Sequence, residues 1–355
     1  MKKSLLRKIS ICLTLVLGMA VFSGCNRKIT VDYGYDAKDY ITELAEYKGV
    51  EYTPDNRVVE ESEVDAYIQK VLENATTWTE TTDQKVSLGD KVTIQVKATD
   101  ADGIYLPELS TSDDYDVVLG SGSISDNYEN FEESLVGMLP GRTKQIKCII
   151  SDTFEGEKYR GQEITFTVAV VTAYSGTVPS LTDGFVNTLT SGKYTTAEGY
   201  RKSIRDMYET KLEEEKHSNR YEEIIETIMN NTKVSSYPED VLKEQIERTT
   251  SSMDMYAAIY NMETEEYCQD RFGCTIEDYA KRVVLQEMIL QQVVEKEGLT
   301  LTTKEYKNNL DEFAQSVGYS DGEALLEKYD KEYVQKNMLL QKAMDLIYDS
   351  SVPKQ

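Results

Sequence analysis

The side chains that usually perform covalent or metal chemistry are scarce in this chain. His217 is the sole histidine among 355 residues, and it stands in a charged stretch with helical spacing. One imidazole with no partner in register offers neither a base for a nucleophile nor a histidine-based metal site. The five cysteines include no Cys-x-x-Cys pair and no zinc-type spacing. Cys148 falls in the alternating run Ile146, Cys148, Ile150 and reads as a small core hydrophobe. Cys268 and Cys274 are six positions apart around a helix break, which leaves both a bridge and two separate thiols open. Asp113, Asp114 and Asp116 are oxygen ligands without the full spacing of a calcium loop. The expectation is chemistry that uses no cofactor, no metal and no nucleophile.

The elements that carry these residues begin with a targeting segment. Lys2, Lys3, Arg7 and Lys8 precede an uncharged, mostly apolar run from Ile9 to Phe22, followed by Ser23, Gly24 and Cys25. That is the order of a secretory signal, and the run is shorter than the roughly 20 residues a spanning helix needs. A cysteine directly after Ser-Gly resembles a lipobox, with Phe22 where leucine is usual. The resemblance implies a lipoprotein signal at 1–24 and a lipidated Cys25 on the extracytoplasmic face of the cell membrane. Several acyl chains hold a protein stably, each buried methylene adding about 0.8 kcal/mol. The net charge of −24 becomes more negative once the signal and its cations leave. Such acidity argues against nucleic acid as a partner and repels anionic headgroups.

Beyond the lipid site, residues 25–45 read as a polar, tyrosine-containing spacer, and 46–86 as a linker segment with one helix. Val64, Ile68 and Leu72 form its apolar stripe, with Ser62 as the expected cap. The period changes at Leu88-Gly89-Asp90. Val92, Ile94 and Val96 alternate with polar residues, as do Tyr115 to Leu119, Thr143 to Ser151, and Ile164 to Val170. Phe131, Leu135 and Val136 predict one short helix ending near Pro140-Gly141. Strands flanking one helix make 87–174 a small α+β domain. From about Thr195 the period is helical throughout. Capping signals at Thr195, Ser236, Thr275, Thr302 and Ser320 predict five or six helices within a domain at 178–351. Gly298 and Gly318 are placed as C-caps.

Three strings carry a family resemblance. LGDKVTIQVKATDADG at 88–103, FEESLVGMLPGRTKQIKCII at 131–150 and YRGQEITFTVAVVTAY at 159–174 resemble an FKBP-type peptidyl-prolyl isomerase domain. LEEEKHSNRYEEIIETIMNNTKVSSYPEDVLKEQI and VVLQEMILQQVVEKEGLTLTTKEY resemble the helical chaperone domain of trigger factor. The resemblance covers about 46–350 and leaves out that family's basic ribosome-binding domain. It implies a curved antiparallel sheet around one short helix, followed by an all-α multi-helix chaperone domain. It further implies a peptidyl-prolyl cis-trans isomerase and chaperone acting on unfolded or nascent exported polypeptides with X-Pro bonds, with no ribosome as partner. Matching the pattern puts pocket positions at Phe131, Phe154 and Phe166, with Ile124 or Tyr128 on the loop wall; the alternative is that these are plain core residues. Tyr256, Tyr260, Met253 and Met262 are candidate client contacts or helix-seam residues.

The chain departs from the pattern in two places. After Asp102-Gly103, where an aromatic and an acidic residue are usual, it reads Tyr105, Leu106, Pro107, Glu108. The Ile-Pro-Gly loop before the helix is replaced by the longer Ser125-Asp126-Asn127-Tyr128-Glu129-Asn130.

Overall fold

The computed structural model describes residues 27–354, so the signal segment and Cys25 lie outside the described residues. Two compact units emerge. One is Val58–Thr210, and the other joins the described residues up to Arg57 with those from Lys211 onward.

In the first unit, α1 (Glu61–Asn74) buries the expected stripe Val64, Ile68 and Leu72 against Val186, Tyr200 and Ile204. Its cap is not Ser62 but Glu60, whose amide donates to Glu63 Oε2 at 2.9 Å. An acidic side chain reaching back over the first turn serves the orphan amides and the helix dipole together.

The sheet comprises β1 (Thr77–Thr81), β2 (Lys91–Thr99), β3 (Thr111–Val118), β4 (Arg142–Ile149) and β5 (Glu163–Thr177). β5 is its spine. β2 pairs along one edge of it and β3 pairs with β2, while β4 and then β1 occupy the other edge, all antiparallel. Ile164, Phe166, Val168 and Val170 point inward at every second position, the period a one-sided sheet requires. Over them lies the short helix α2 (Phe131–Leu135), which contributes Phe131 and Leu135 to the same core. α2 ends earlier than Pro140. Val136 is exposed because the chain enters a left-handed turn at Gly137, φ 84°. α3 (Asp183–Leu189) follows, and the helix α4 (Ala197–Asn231) opens.

The second unit contains the rest of α4, then α5 (Glu239–Ile259), α6 (Thr264–Phe272), α7 (Ile276–Glu297), α8 (Thr303–Ser316), α9 (Gly322–Lys328) and α10 (Lys331–Ser350). That makes seven described helices from Ala197, against five or six expected. Gly273 supplies the extra break, ending α6 in a left-handed cap at φ 71°. Thr302 forms the full capping box with Glu305, and Thr275 caps α7. Two caps sit one residue later than expected, at Thr196 and Asp321. α5 starts after Pro238 with no side-chain cap. Gly298 and Gly318 both take positive φ at helix ends.

The stretch expected as a spacer is folded into this unit. Ala37, Ile41, Tyr47 and Val50 are buried in the helical core. Three short strands tie it down: Lys28–Ile29 on Leu301–Thr302, Ile41–Glu43 on Lys233–Val234, and Glu51–Tyr52 on Val352–Pro353. Irregular spacing hid this, because each residue fills a separate gap and no period results. Cys148, Cys268 and Cys274 are free thiols, and Cys148 points into the core as expected. No described helix is long and apolar enough to cross a membrane.

Candidate functional site

The loop between β3 and α2 is organised by one carboxylate. Glu132, on α2, is 0% exposed. Its Oε2 accepts from the Gly120 amide at 2.8 Å and the Gly122 amide at 3.2 Å. Its Oε1 accepts from the Ile124 amide at 2.8 Å, with Ser125 N–H and the Ser123 hydroxyl farther off at 3.4 Å. Gly120 and Gly122 adopt φ of 86° and 76°, a backbone that turns successive amides toward one anion. Burial pushes this carboxyl up, but the amides of Ile124, Gly122, Ser125 and Gly120 more than offset it, so it lies below the usual glutamate range. Sequence reasoning missed Glu132. The one signal for it in the sequence is the Gly120-Ser121-Gly122 run, whose glycines permit the positive φ that this turn requires.

That loop delivers Tyr128 onto an aromatic cluster. Its ring centroid lies 5.1 Å from Phe166, 5.7 Å from Phe154 and 6.1 Å from Phe131, while Phe131 and Phe166 meet edge-on at 5.5 Å. The four residues named from the sequence therefore come together. They do not share one open surface. Phe131 and Phe166 are each 1% exposed, in the sheet–helix core, whereas Phe154 and Tyr128 are partly buried above them. Burial raises the Tyr128 phenol above its ordinary value. Ile124 is buried in the same core. Asn130 takes the left-handed φ of 58° just ahead of α2, so the replaced loop keeps a turn that glycine usually makes.

A cavity of about 610 Å³ opens beside the cluster, lined by Glu108, Leu109, Asn127, Phe154, Tyr159 and neighbouring loop residues. Phe154 is the member of the cluster that reaches it. Glu108 sits on the 3-10 turn Pro107–Leu109 and accepts from Lys158 Nζ at 2.7 Å and from the Tyr159 hydroxyl. Those two bonds, Lys158 first, hold its carboxyl below the usual range. Glu108 thus places a carboxylate on the cavity wall, while Tyr105 is half exposed. Arg160 Nε donates to the Phe154 carbonyl at 2.6 Å and fixes that loop.

A second feature lies at the end of α5. Met255, Ile259 and Tyr260 are 61%, 69% and 42% exposed. Of the client-contact candidates, Met253 is core, and Tyr256 and Met262 pack against the cluster beneath with Tyr267 and Cys268. Tyr260 alone stays exposed, under the Arg271 guanidinium at 4.7 Å. Met255 and Ile259 lie off the buried face of α5 formed by Thr249, Met253 and Ala257, so helical spacing does not single them out. Among the described residues no group of three His, Cys, Asp or Glu is placed to hold a metal ion.

Fold and site together define a two-part protein: a curled antiparallel sheet wrapped on a short helix with an aromatic cluster, joined to a multi-helix α-domain. Residues 196–349 match the family model "Bacterial trigger factor protein (TF) C-terminus". Trigger factor of Caldicellulosiruptor saccharolyticus is 26% identical over 330 residues, covering 89% of this chain and 73% of that protein. Trigger factor of Clostridioides difficile is 22% identical over 318 residues, covering 87% and 72%. A solved structure described as "Promiscuous Substrate Recognition in Folding and Assembly Activities of the Trigger Factor Chaperone" is similar at 18% identity and a TM-score of 0.43, covering 86% of this chain and 73% of that one. Residues 196–349 are thus similar to the C-terminus of trigger factor.

Proposed function

We propose that this chain is a folding factor for unfolded exported polypeptides, held by a lipid on Cys25 at the extracytoplasmic face of the membrane. The observation that carries the holding role is the exposed Met255–Ile259–Tyr260 surface, on a helical region similar to the C-terminus of trigger factor. Contiguous exposed apolar side chains are costly in water unless something covers them, and methionine and tyrosine adapt to varied apolar partners.

The α+β unit turns X-Pro bonds. The barrier is about 18–20 kcal/mol, and uncatalysed exchange takes tens to hundreds of seconds. At the top of the barrier amide resonance is broken. A site that removes water from the carbonyl and grips a twisted proline ring lowers the barrier without a nucleophile or metal. The groups that support this are Phe154, on the wall of the 610 Å³ cavity, and the Phe131–Phe166 pair beneath Tyr128.

A second reading, a non-catalytic holding protein with a degenerate isomerase domain, is favoured by the burial of Phe131 and Phe166. A refolding assay limited by proline isomerisation separates the two. The first reading expects faster refolding with catalytic amounts of protein. No acceleration, alongside suppressed aggregation of the same substrate, leaves the second. Neither effect removes both. The anchor is tested by mass spectrometry of the mature amino-terminal peptide, which should begin at Cys25 and carry a diacylglyceryl thioether; an unmodified Cys25 refutes lipidation there.

A further inference from the structure

We infer that Tyr128 is a built-in plug: its ring occupies the seat a prolyl ring would take on Phe131 and Phe166, and its displacement controls access. This rests on the isomerase reading above. Open space around the aromatic cluster is unevenly distributed. Phe131 and Phe166 present almost no surface to solvent. Tyr128 is in ring contact with both, edge-on to Phe166 at 5.1 Å and tilted against Phe131 at 6.1 Å. Phe154 touches Tyr128 at 5.7 Å on one side and lines the 610 Å³ cavity on the other. The cavity is also lined by Asn127, the residue before Tyr128. The Tyr128 ring therefore stands between Phe154 on the cavity wall and the buried Phe131–Phe166 pair.

The chain is built to hold the ring there. The Tyr128 amide donates to the Ile124 carbonyl at 3.0 Å, and Ile124 in turn donates to the buried Glu132 carboxylate. Tyr128 also bridges to Ile150. The backbone is thus fixed on both sides, and the side chain is the part left to move. Among the described residues no hydrogen bond anchors its hydroxyl, so the ring is held by apolar packing, in which each aromatic pair contributes modestly. A ligand that must first expel a resident group binds with an affinity reduced by the fraction of molecules already open. Isoleucine or alanine at position 128 removes the ring while keeping an apolar side chain.

The test compares wild type with Tyr128→Ile, Tyr128→Ala and Tyr128→Phe, using isomer-specific proteolysis of a short prolyl peptide as the readout. Trp78 fluorescence confirms that each variant is folded. The plug predicts that the Ile and Ala variants accelerate isomerisation about tenfold more than wild type, while the Phe variant, which keeps the ring, matches wild type. Should Tyr128→Ala fail to fold, Tyr128→Ile carries the comparison. If wild type accelerates and neither small variant exceeds it, the plug is refuted and the isomerase reading stands. If no form accelerates, both are refuted. In wild type itself, saturating prolyl peptide should shift the ring resonances of Tyr128 in tyrosine-labelled spectra; an unmoved ring during measurable catalysis overturns the inference.

Discussion

Removing the charge of Glu132 while keeping its shape tests whether one carboxylate sets the loop that places Tyr128. In Glu132→Gln one oxygen survives as an acceptor, and the other is replaced by an NH₂ group facing backbone amides. The two shortest bonds, from Gly120 and Ile124 at 2.8 Å each, lie on different oxygens. Whichever way the amide turns, one of these two N–H groups meets a donor. A bond to a charged group contributes roughly 1.5–3 kcal/mol, and a buried donor left without a partner costs about 1–3 kcal/mol. A loss of about 3 kcal/mol is therefore expected. Trp78 is the only tryptophan and pairs with Gly176 between β1 and β5, so its fluorescence during urea unfolding reports on this unit. The pH dependence has a fixed sign. The folded carboxyl titrates below the unfolded value of about 4.3, so its stabilisation is present above that value and is lost as pH falls through the lower folded one. The gap between wild type and Glu132→Gln should therefore narrow in acid. A difference under about 1 kcal/mol at neutral pH, or a gap that widens in acid, refutes the assignment of this carboxylate as the loop's organiser.

Three further outcomes follow from named contacts. A methyl group at Gly156 would stand 2.8 Å from Phe154 Cε1, so Gly156→Ala should cost about 1–2 kcal/mol by overpacking in the same Trp78-monitored urea titration. An unchanged midpoint contradicts the packing of that loop. Burial, helped by nearby Asp349, pushes Asp345 up to about 6. Stability should fall by about 2 kcal/mol as pH rises from about 4 through that value, and Asp345→Asn should melt higher than wild type at pH 7 by far-ultraviolet circular dichroism; equal melting temperatures contradict it. Met255→Ser combined with Ile259→Ser should change stability by no more than about 0.5 kcal/mol per exposed site yet weaken suppression of aggregation by light scattering. Full retention of suppression removes this surface from the holding role.

The two parts of the fold were legible because each has a dominant rhythm. Alternation at 164–170 and the 64–68–72 stripe translate directly into buried faces. Residues 27–57 carried no such rhythm, since short strand pairs and single inserted side chains, such as Tyr47 donating to Glu297 at 2.7 Å, leave no period. At the site, matching to a family pattern found the four aromatic residues. It did not separate floor from lid, because exposure depends on how Tyr128 lies over Phe131 and Phe166. Glu132 was hidden for a related reason. A carboxylate beside Glu133 at a helix start reads as a solvated dipole partner until the Gly120–Ser125 amides are seen to converge on it.

The holding role proposed for the end of α5 can be read directly by crosslinking. A photo-reactive residue placed at Ile259 should crosslink to a reduced, unfolded polypeptide and not to its folded form, while the same group at exposed Lys307 in the same unit should give little adduct with either. Equal crosslinking at the two positions, or none at position 259 while aggregation is still suppressed, would contradict it.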